Sequence, residues 1–194
     1  MTDTERTLRA SPPAGWEEAR AVAEALLEAT ATTDGYGADH AVAVAGLSRL
    51  VGMELGLAEG ALEVLVLGAL LHDLGKLGVP KAILQKVAPL TWQEWEIVER
   101  HPGVGSRMVE PLWCLRGVAR VIRHHHERYD GGGYPDGLRG EGIPLAARIV
   151  AAADAHDVMV RGRPYRRRRQ PTEAIKELLD AAGGQVDARV AVAA

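Results

Sequence analysis

The chain has 194 residues, 47% of them hydrophobic and 25% charged, with a net charge of −3. That length suits one domain of about 100–200 residues, and the weakly acidic balance argues against a partner that is a nucleic-acid polymer, whose binders are usually basic. The longest apolar run, Val64–Leu71, falls far short of the roughly 20 residues of a membrane helix, so no membrane insertion is expected, and the polar start MTDTERTLRA lacks a signal-peptide pattern.

Cys114 is the single cysteine, which rules out an internal disulfide and fits a cytoplasmic location. Residues 1–13 lack periodicity and end in Ser11-Pro12-Pro13, so they are expected to form a flexible leader. Residues 14–38 hold an Ala-, Glu- and Leu-rich helix from Trp16 to about Thr30, then a Gly-containing turn. Asp39 is placed to cap a helix from about His40 to Leu55. Ala61–Asp73 is strongly apolar and reads as a central core helix, ended by Gly75 and Gly78-Val79-Pro80.

Thr91-Trp92-Gln93-Glu94 has the form of a capping box opening a helix to about Arg100. Pro102 and Gly105 are expected to break the chain before a short helix at Ser106–Val109. Leu112–His126 reads as one helix with Leu115, Val118, Val121 and Ile122 on one face. Tyr129–Gly142 has six glycines in 14 residues and is a loop. Pro144 opens a helix to about Val160, and Pro171 opens a last one that ends at Gly183-Gly184, with the tail helical or frayed. No alternating run calls for a sheet. The expected fold is an all-α, single-domain bundle of about seven helices, with Trp16, Trp92, Trp95 and Trp113 as core anchors.

The seven histidines are His40, His72, His101, His124, His125, His126 and His156. Several adjoin acids, as in His72-Asp73, His126-Glu127 and His156-Asp157. Imidazole with carboxylate suits Mn, Fe, Zn or Ni rather than Ca or Mg. An ionised Asp73 at the end of an apolar helix is costly unless it is paired or bound to a metal. Lys76, four residues after His72, could stabilise charge on a phosphate.

His72-Asp73-Leu74-Gly75-Lys76 resembles the HDxGK signature of the HD superfamily of metal phosphohydrolases. His125-His126-Glu127 followed by Asp130-Gly131 and Gly133-Tyr134-Pro135 resembles the HHExxDGxGYP signature of the HD-GYP type. Leu90-Thr91, His101-Pro102, Gly105, Ile143-Pro144, Asp154, Asp157 and Arg163-Pro164-Tyr165-Arg166 are similar to other pieces of that family, over about residues 39–187.

The resemblance implies an HD-GYP catalytic domain over residues 39–194 that hydrolyses cyclic di-GMP to the linear dinucleotide pGpG, to GMP, or to both. It implies two divalent ions, Fe or Mn with Zn or Ni as alternatives, whose bridging water attacks phosphorus. Asp73 would bridge them. His40, His72 and Asp154 would complete one ion's protein ligands, and His101, His125 and His126 the other's. Lys76 would bind the scissile phosphate, Arg163 and Arg166 the phosphates or bases, and Tyr134 would line the pocket. Tyr36 stands where some relatives place a Glu for a third ion, so two ions are expected rather than three. Met159-Val160-Arg161-Gly162 replaces a more typical Leu-Thr-Ser-Asp.

Two other substrates of this chemistry remain open, another cyclic dinucleotide or a nucleotide, as does a non-catalytic adaptor that binds cyclic di-GMP. A signalling partner is expected at the GYP loop, and residues 14–38 could serve as a dimerising arm for a homodimer. His124 is read as a helix-surface residue and His156 as structural. Asp157 is either the partner that orients a ligand histidine or a plain helix residue.

Overall fold

The structure is a computed structural model that describes residues 15–30, 37–162 and 168–194. Helix α1 spans Trp16–Thr30, α2 Gly37–Glu54, α3 Glu59–Leu71, and α4 and α5 are the short segments Lys81–Leu84 and Trp92–Val98. They are followed by α6 (His101–Val109), α7 (Arg116–His124), α8 (Leu145–Arg161), α9 (Pro171–Asp180) and α10 (Ala188–Ala193). Among the described residues, seven of these helices have nine residues or more. The β pairing among them is one isolated bridge between Ala182 and Val186. The fold is all-α, as the periodicity requires.

α3 is apolar on every side, and such a helix is stable only in the middle of a fold. Its Leu62, Leu65 and Ala69 enter a core with Val44, Val51, Ile149, Leu178 and Val190, drawn from α2, α8, α9 and α10. Its Leu67 and Leu71 enter a second core with Ala19, Ala23, Val109, Val118 and Ile122. Each buried leucine contributes about 1.5–3 kcal/mol. The C-terminal end of α3, where His72 and Asp73 lie, is therefore held from two sides.

Close backbone contact adds to that grip. A Cβ at Gly75 would lie 1.9 Å from the His101 carbonyl oxygen. Only glycine lets the 3-10 turn Leu74–Gly78 rest on the start of α6. Near the start of α8, the buried Arg148 donates Nε–H to the Ile143 carbonyl at 3.0 Å and pairs with the buried Asp187. Asp187 also caps α10 by accepting from the Arg189 amide at 2.9 Å, so one carboxylate ties α8 to the chain's last helix.

Several boundaries differ from the sequence expectation. α2 begins at Gly37, so Asp39 lies within its first turn and does not cap it. Pro102 sits in the first turn of α6, where a missing N–H leaves no bond unmade, and the helix runs unbroken from His101. The expected helix over 112–126 is a 3-10 turn, Trp113–Leu115, followed by α7, which ends at His124. The tail is helical. Trp16 packs half-buried on the second core, but Trp92, Trp95 and Trp113 are 73%, 45% and 64% exposed and anchor no core. The reason is local: α5 is a single short helix with no buried residue, and the turn at Trp113 buries only Leu115.

Replacing Asp187 with Ala leaves Arg148 buried and unpaired, and should lower stability by about 3–5 kcal/mol in urea unfolding. The double variant Arg148→Met with Asp187→Leu should recover only part of that loss, because the ion pair itself can be replaced by apolar groups at little cost but the Ile143 carbonyl and the start of α10 lose their partners.

Candidate metal centre

The site forms where helix ends converge. His40 lies in the first turn of α2, His72 and Asp73 follow the last residue of α3, and His101 opens α6. His125 and His126 follow α7, and Asp154 and Asp157 sit on α8. Three of the histidines are oriented by one repeated device. His72 Nδ1 is 2.7 Å from the Ala69 carbonyl, His101 Nδ1 2.7 Å from that of Val98, and His125 Nδ1 2.7 Å from that of Ile122. Each carbonyl is three residues back, in the last turn of a helix, where carbonyls have no intrahelical partner. The imidazole satisfies it by donating Nδ1–H, which leaves the Nε2 lone pair pointing inward.

These Nε2 atoms meet the Asp73 carboxylate. The ligand atoms of Asp73, His101, His125 and His126 all lie within 4.8 Å of one another, as do those of His40, His72 and Asp73. Asp73 belongs to both groups and offers each a different oxygen: Oδ2 is 3.3 Å from His72 Nε2, and Oδ1 is 3.4 Å from His101 Nε2. The Nε2 atoms of His101 and His125 face each other at 3.4 Å, and His72 Nε2 is buried with no hydrogen-bond partner. Buried nitrogen lone pairs left in this way are costly unless a cation takes them. Asp154 adjoins the second group, with Oδ1 3.2 Å from His40 Nε2. All seven residues named as ligands thus come together, six of them in the two groups and Asp154 at the edge.

The electrostatics sort the histidines into two kinds. Burial, reinforced by the neighbouring imidazoles His126, His72 and His101, holds His125 well below the usual histidine range. Burial, with the neighbouring His101 imidazole, pushes His126 down to about 3. Both are neutral lone-pair donors at ordinary pH. Burial opposes protonation of His40 as well, but hydrogen bonds to Asp154 and Asp157 outweigh it and raise His40 to about 9. His72 is raised against its burial by Asp73. Burial also works against ionisation of Asp73, yet Lys76 and His72 hold its carboxyl well below the ordinary value.

Other residues hold this set in place. Asp157 Oδ2 accepts from His40 Nδ1 at 2.6 Å, and Arg161 Nε donates to Asp157 Oδ1 at 2.9 Å. Asp157 is therefore the partner that orients His40. Lys76 Nζ lies 2.6 Å from Asp73 Oδ2. The Tyr134 ring lies 5.0 Å from that of His126, and the Tyr134 amide donates to the His126 carbonyl at 3.2 Å. A Cβ at Gly133 would lie 2.3 Å from the Arg128 nitrogen, so glycine is needed for this loop to lie on the backbone of residues 126–128.

Two residues to which the sequence reading gave no such role clamp the same loop. The buried Glu127 accepts the Asp136 amide at 2.7 Å and the Leu138 amide at 3.0 Å. His124, expected on the surface, is buried, because Asp136 folds over it and lies 3.0 Å from its Nε2. Arg123 forks the same carboxylate at 2.7 and 2.6 Å. For Glu127 the available signal was its place between His126 and a Gly-rich loop that needs amide acceptors; for His124 there was none. His156 is half-buried on α8. Arg163, Arg166 and Tyr36 lie outside the described residues.

Over the centre lies a cavity of about 520 Å³, with His40, Asp73, Lys76, His101, His126 and Asp154 among its polar lining. Apolar residues of the segment between α4 and α5 form another part of the wall. The volume is in the range of small-ligand sites, roughly 300–1,000 Å³.

Fold and site together define an all-helical domain whose helix ends carry a His-Asp pair into a shared histidine-carboxylate centre. The chain belongs to the HD domain family, whose model matches residues 6–190, and within it to the HD-GYP type. It is 38% identical over 164 residues to the cyclic di-GMP phosphodiesterase response regulator RpfG of Xanthomonas campestris, a match covering 84% of this chain and 43% of that protein. It is 39% identical over 131 residues to the 3'3'-cGAMP-specific phosphodiesterase 3 of Vibrio cholerae, covering 68% of this chain and 28% of that one. Among solved structures, the HDG"Y"P protein Bd1817 of Bdellovibrio bacteriovorus superposes with a TM-score of 0.66 at 26% identity, over 80% of this chain and 50% of that chain. The chain thus spans less than half the length of these curated relatives.

The raised His40 dictates a proton balance for metal uptake. Below about pH 9 the metal-free His40 carries a proton that a metal must displace, whereas His126 is already neutral. Calorimetric Mn(II) titrations in buffers of different ionisation enthalpy should show about one to two protons released near pH 7.5, fewer as pH passes 9, and fewer at pH 7.5 in Asp157→Asn. The metal-free fold should also weaken as pH falls below about 6.5, because the unfolded chain binds protons there that the buried His126 resists.

Proposed function

We propose that this domain hydrolyses a phosphodiester bond of cyclic di-GMP, yielding pGpG, GMP or both, with two divalent ions, Fe or Mn in preference to Zn or Ni. The observation that carries this reading is the division of the Asp73 carboxylate, one oxygen toward His72 and the other toward His101. His40, His72 and Asp154 would hold one ion and His101, His125 and His126 the other, with Asp73 common to both. When bound, such a pair supplies a Lewis acid for the phosphoryl oxygens and a water acidified toward neutral pH.

The protein's own residues do the rest. The carbonyl-anchored imidazoles keep the centre rigid, so no reorganisation is needed during reaction. Lys76, in the cavity lining beside Asp73, would hold the scissile phosphate and neutralise charge that builds on it. Tyr134 lines the same cavity, and its loop is held by Glu127. Arg163 and Arg166, outside the described residues, are proposed to grip phosphates or bases. The names of the relatives support a cyclic dinucleotide, and the 3'3'-cGAMP-specific relative makes cyclic GMP-AMP the second candidate. We further propose the GYP loop as the docking face for a signalling partner, residues 14–38 as a dimerising arm, and a cytoplasmic location. Among the described residues no helix is long and apolar enough to cross a membrane.

The test is turnover of cyclic di-GMP and cyclic GMP-AMP by Mn- or Fe-loaded protein, with products resolved by chromatography. Asp73→Ala should abolish turnover and reduce bound metal. Lys76→Ala should keep the metal and lower kcat by about a hundredfold, the scale for loss of one charge-stabilising donor. Tight binding of cyclic di-GMP by metal-replete protein, with neither dinucleotide consumed over a long incubation, would sink the hydrolase reading and favour an adaptor.

A further inference from the structure

Three tryptophans are exposed, but one of them lines the cavity. Trp95 is 45% exposed on α5 and belongs to the cavity wall, whereas Trp92 and Trp113 are more exposed and do not touch it. An exposed tryptophan alone says little. What distinguishes Trp95 is the cavity it borders and the firmness of its support.

That support starts one residue earlier. Glu94 completes the capping box of α5, receiving the Thr91 amide at 2.7 Å, while the Glu94 amide donates to Thr91 Oγ1 at 3.3 Å. The same carboxylate accepts Lys86 Nζ at 2.8 Å, which ties the segment between α4 and α5 to the helix. That segment contributes Val87, Pro89 and Leu90 to the cavity wall beside Gln85 and Lys86, and α4 contributes Ile83 and Leu84. The cavity lining thus combines histidines, carboxylates and Lys76 with a largely apolar stretch and an indole. A phosphate needs only the polar part. The indole and its apolar surround suit a flat, weakly polar body attached to that phosphate.

We infer that Trp95 is a stacking platform for a nucleobase of the substrate. The inference rests on the reading of a nucleotide phosphodiester as substrate, and deepens it by naming the group that would recognise the base. Stacking is tolerant of base identity because every base has a π face. Trp95 would therefore fix base against sugar and phosphate, and leave the choice between guanine and adenine to other contacts.

The experiment compares GMP with ribose 5-phosphate, which has the phosphate and sugar but no base. Each is titrated by calorimetry into Mn-loaded protein whose metal content has been measured. The wild type should bind GMP about tenfold or more tightly than ribose 5-phosphate, the scale of one base stacked on an aromatic side chain. Trp95→Ala should bring the two affinities together without changing that for ribose 5-phosphate. Trp95→Phe should keep most of the preference, and Trp95→Leu, apolar but without a π face, should lose it. Trp92→Ala should match the wild type.

Equal affinity of the wild type for the two ligands, or no binding of either, overturns the platform. So does a preference that survives Trp95→Ala, or a parallel fall in both affinities in the Ala and Leu variants. A Trp95-dependent preference for GMP in protein that leaves both cyclic dinucleotides intact keeps the platform and overturns the proposed reaction. Turnover without the preference does the reverse.

Discussion

The arrangement rests on the hydrogen bond between an imidazole Nδ1–H and a carbonyl in the last turn of a helix. It occurs at His72, His101 and His125 with the same spacing of three residues and the same 2.7 Å length. A helix end must find partners for its last carbonyls, and a metal ligand must have its tautomer and ring direction fixed. One contact answers both needs. The direction of each Nε2 is therefore set by the path of its helix, and the centre inherits the rigidity of the bundle. Misplacing a helix end would misplace a ligand, so packing and chemistry are not separable here.

This explains the demand for close backbone approach around the site. Gly75 lets the turn after Asp73 rest on the His101 carbonyl, and so sets the distance between the pair on α3 and the histidine on α6. Gly133 lets the loop bearing Tyr134 lie on the backbone of residues 126–128. Glu127 then holds that loop through two amides, and Asp136 returns to His124 and Arg123 at the end of α7. The middle of the loop, at Tyr134, Asp136 and Leu138, is thus fastened to the segment that carries His125 and His126.

Much of this was legible in the sequence because the determinants are local or strongly patterned. The apolar run of α3, the capping box at Thr91 and the Gly-rich stretch at 129–142 each signal one structure. The seven candidate ligands came from the resemblance to the HD-GYP signatures, and the structure brings all seven residues together. Burial that depends on distant partners was not legible. His124 looked like a surface residue because Asp136, twelve positions on, is what covers it. Trp92 and Trp95 looked like core anchors because hydrophobicity alone cannot tell that α5 packs too little surface to bury them. Pro102 looked like a break, although a proline in a first helical turn costs nothing.

The charges reveal how such a site can exist before a metal arrives. Asp73, Asp154 and Asp157 crowd a low-dielectric region, and carboxylates there need cations. Lys76 answers Asp73, while a proton on His40 answers Asp154 and Asp157, with Arg161 sharing the latter. The proton on His40 thus occupies the place of a cation. A divalent ion held at the Nε2 of His40 would displace that proton, so the positive charge added to the region would be less than the ion's own. On the other side of Asp73, burial already keeps His125 and His126 neutral. The two sides are therefore prepared differently, His40 by a proton and His125 and His126 by lone pairs already in position, and Asp73 is the carboxylate common to both groups.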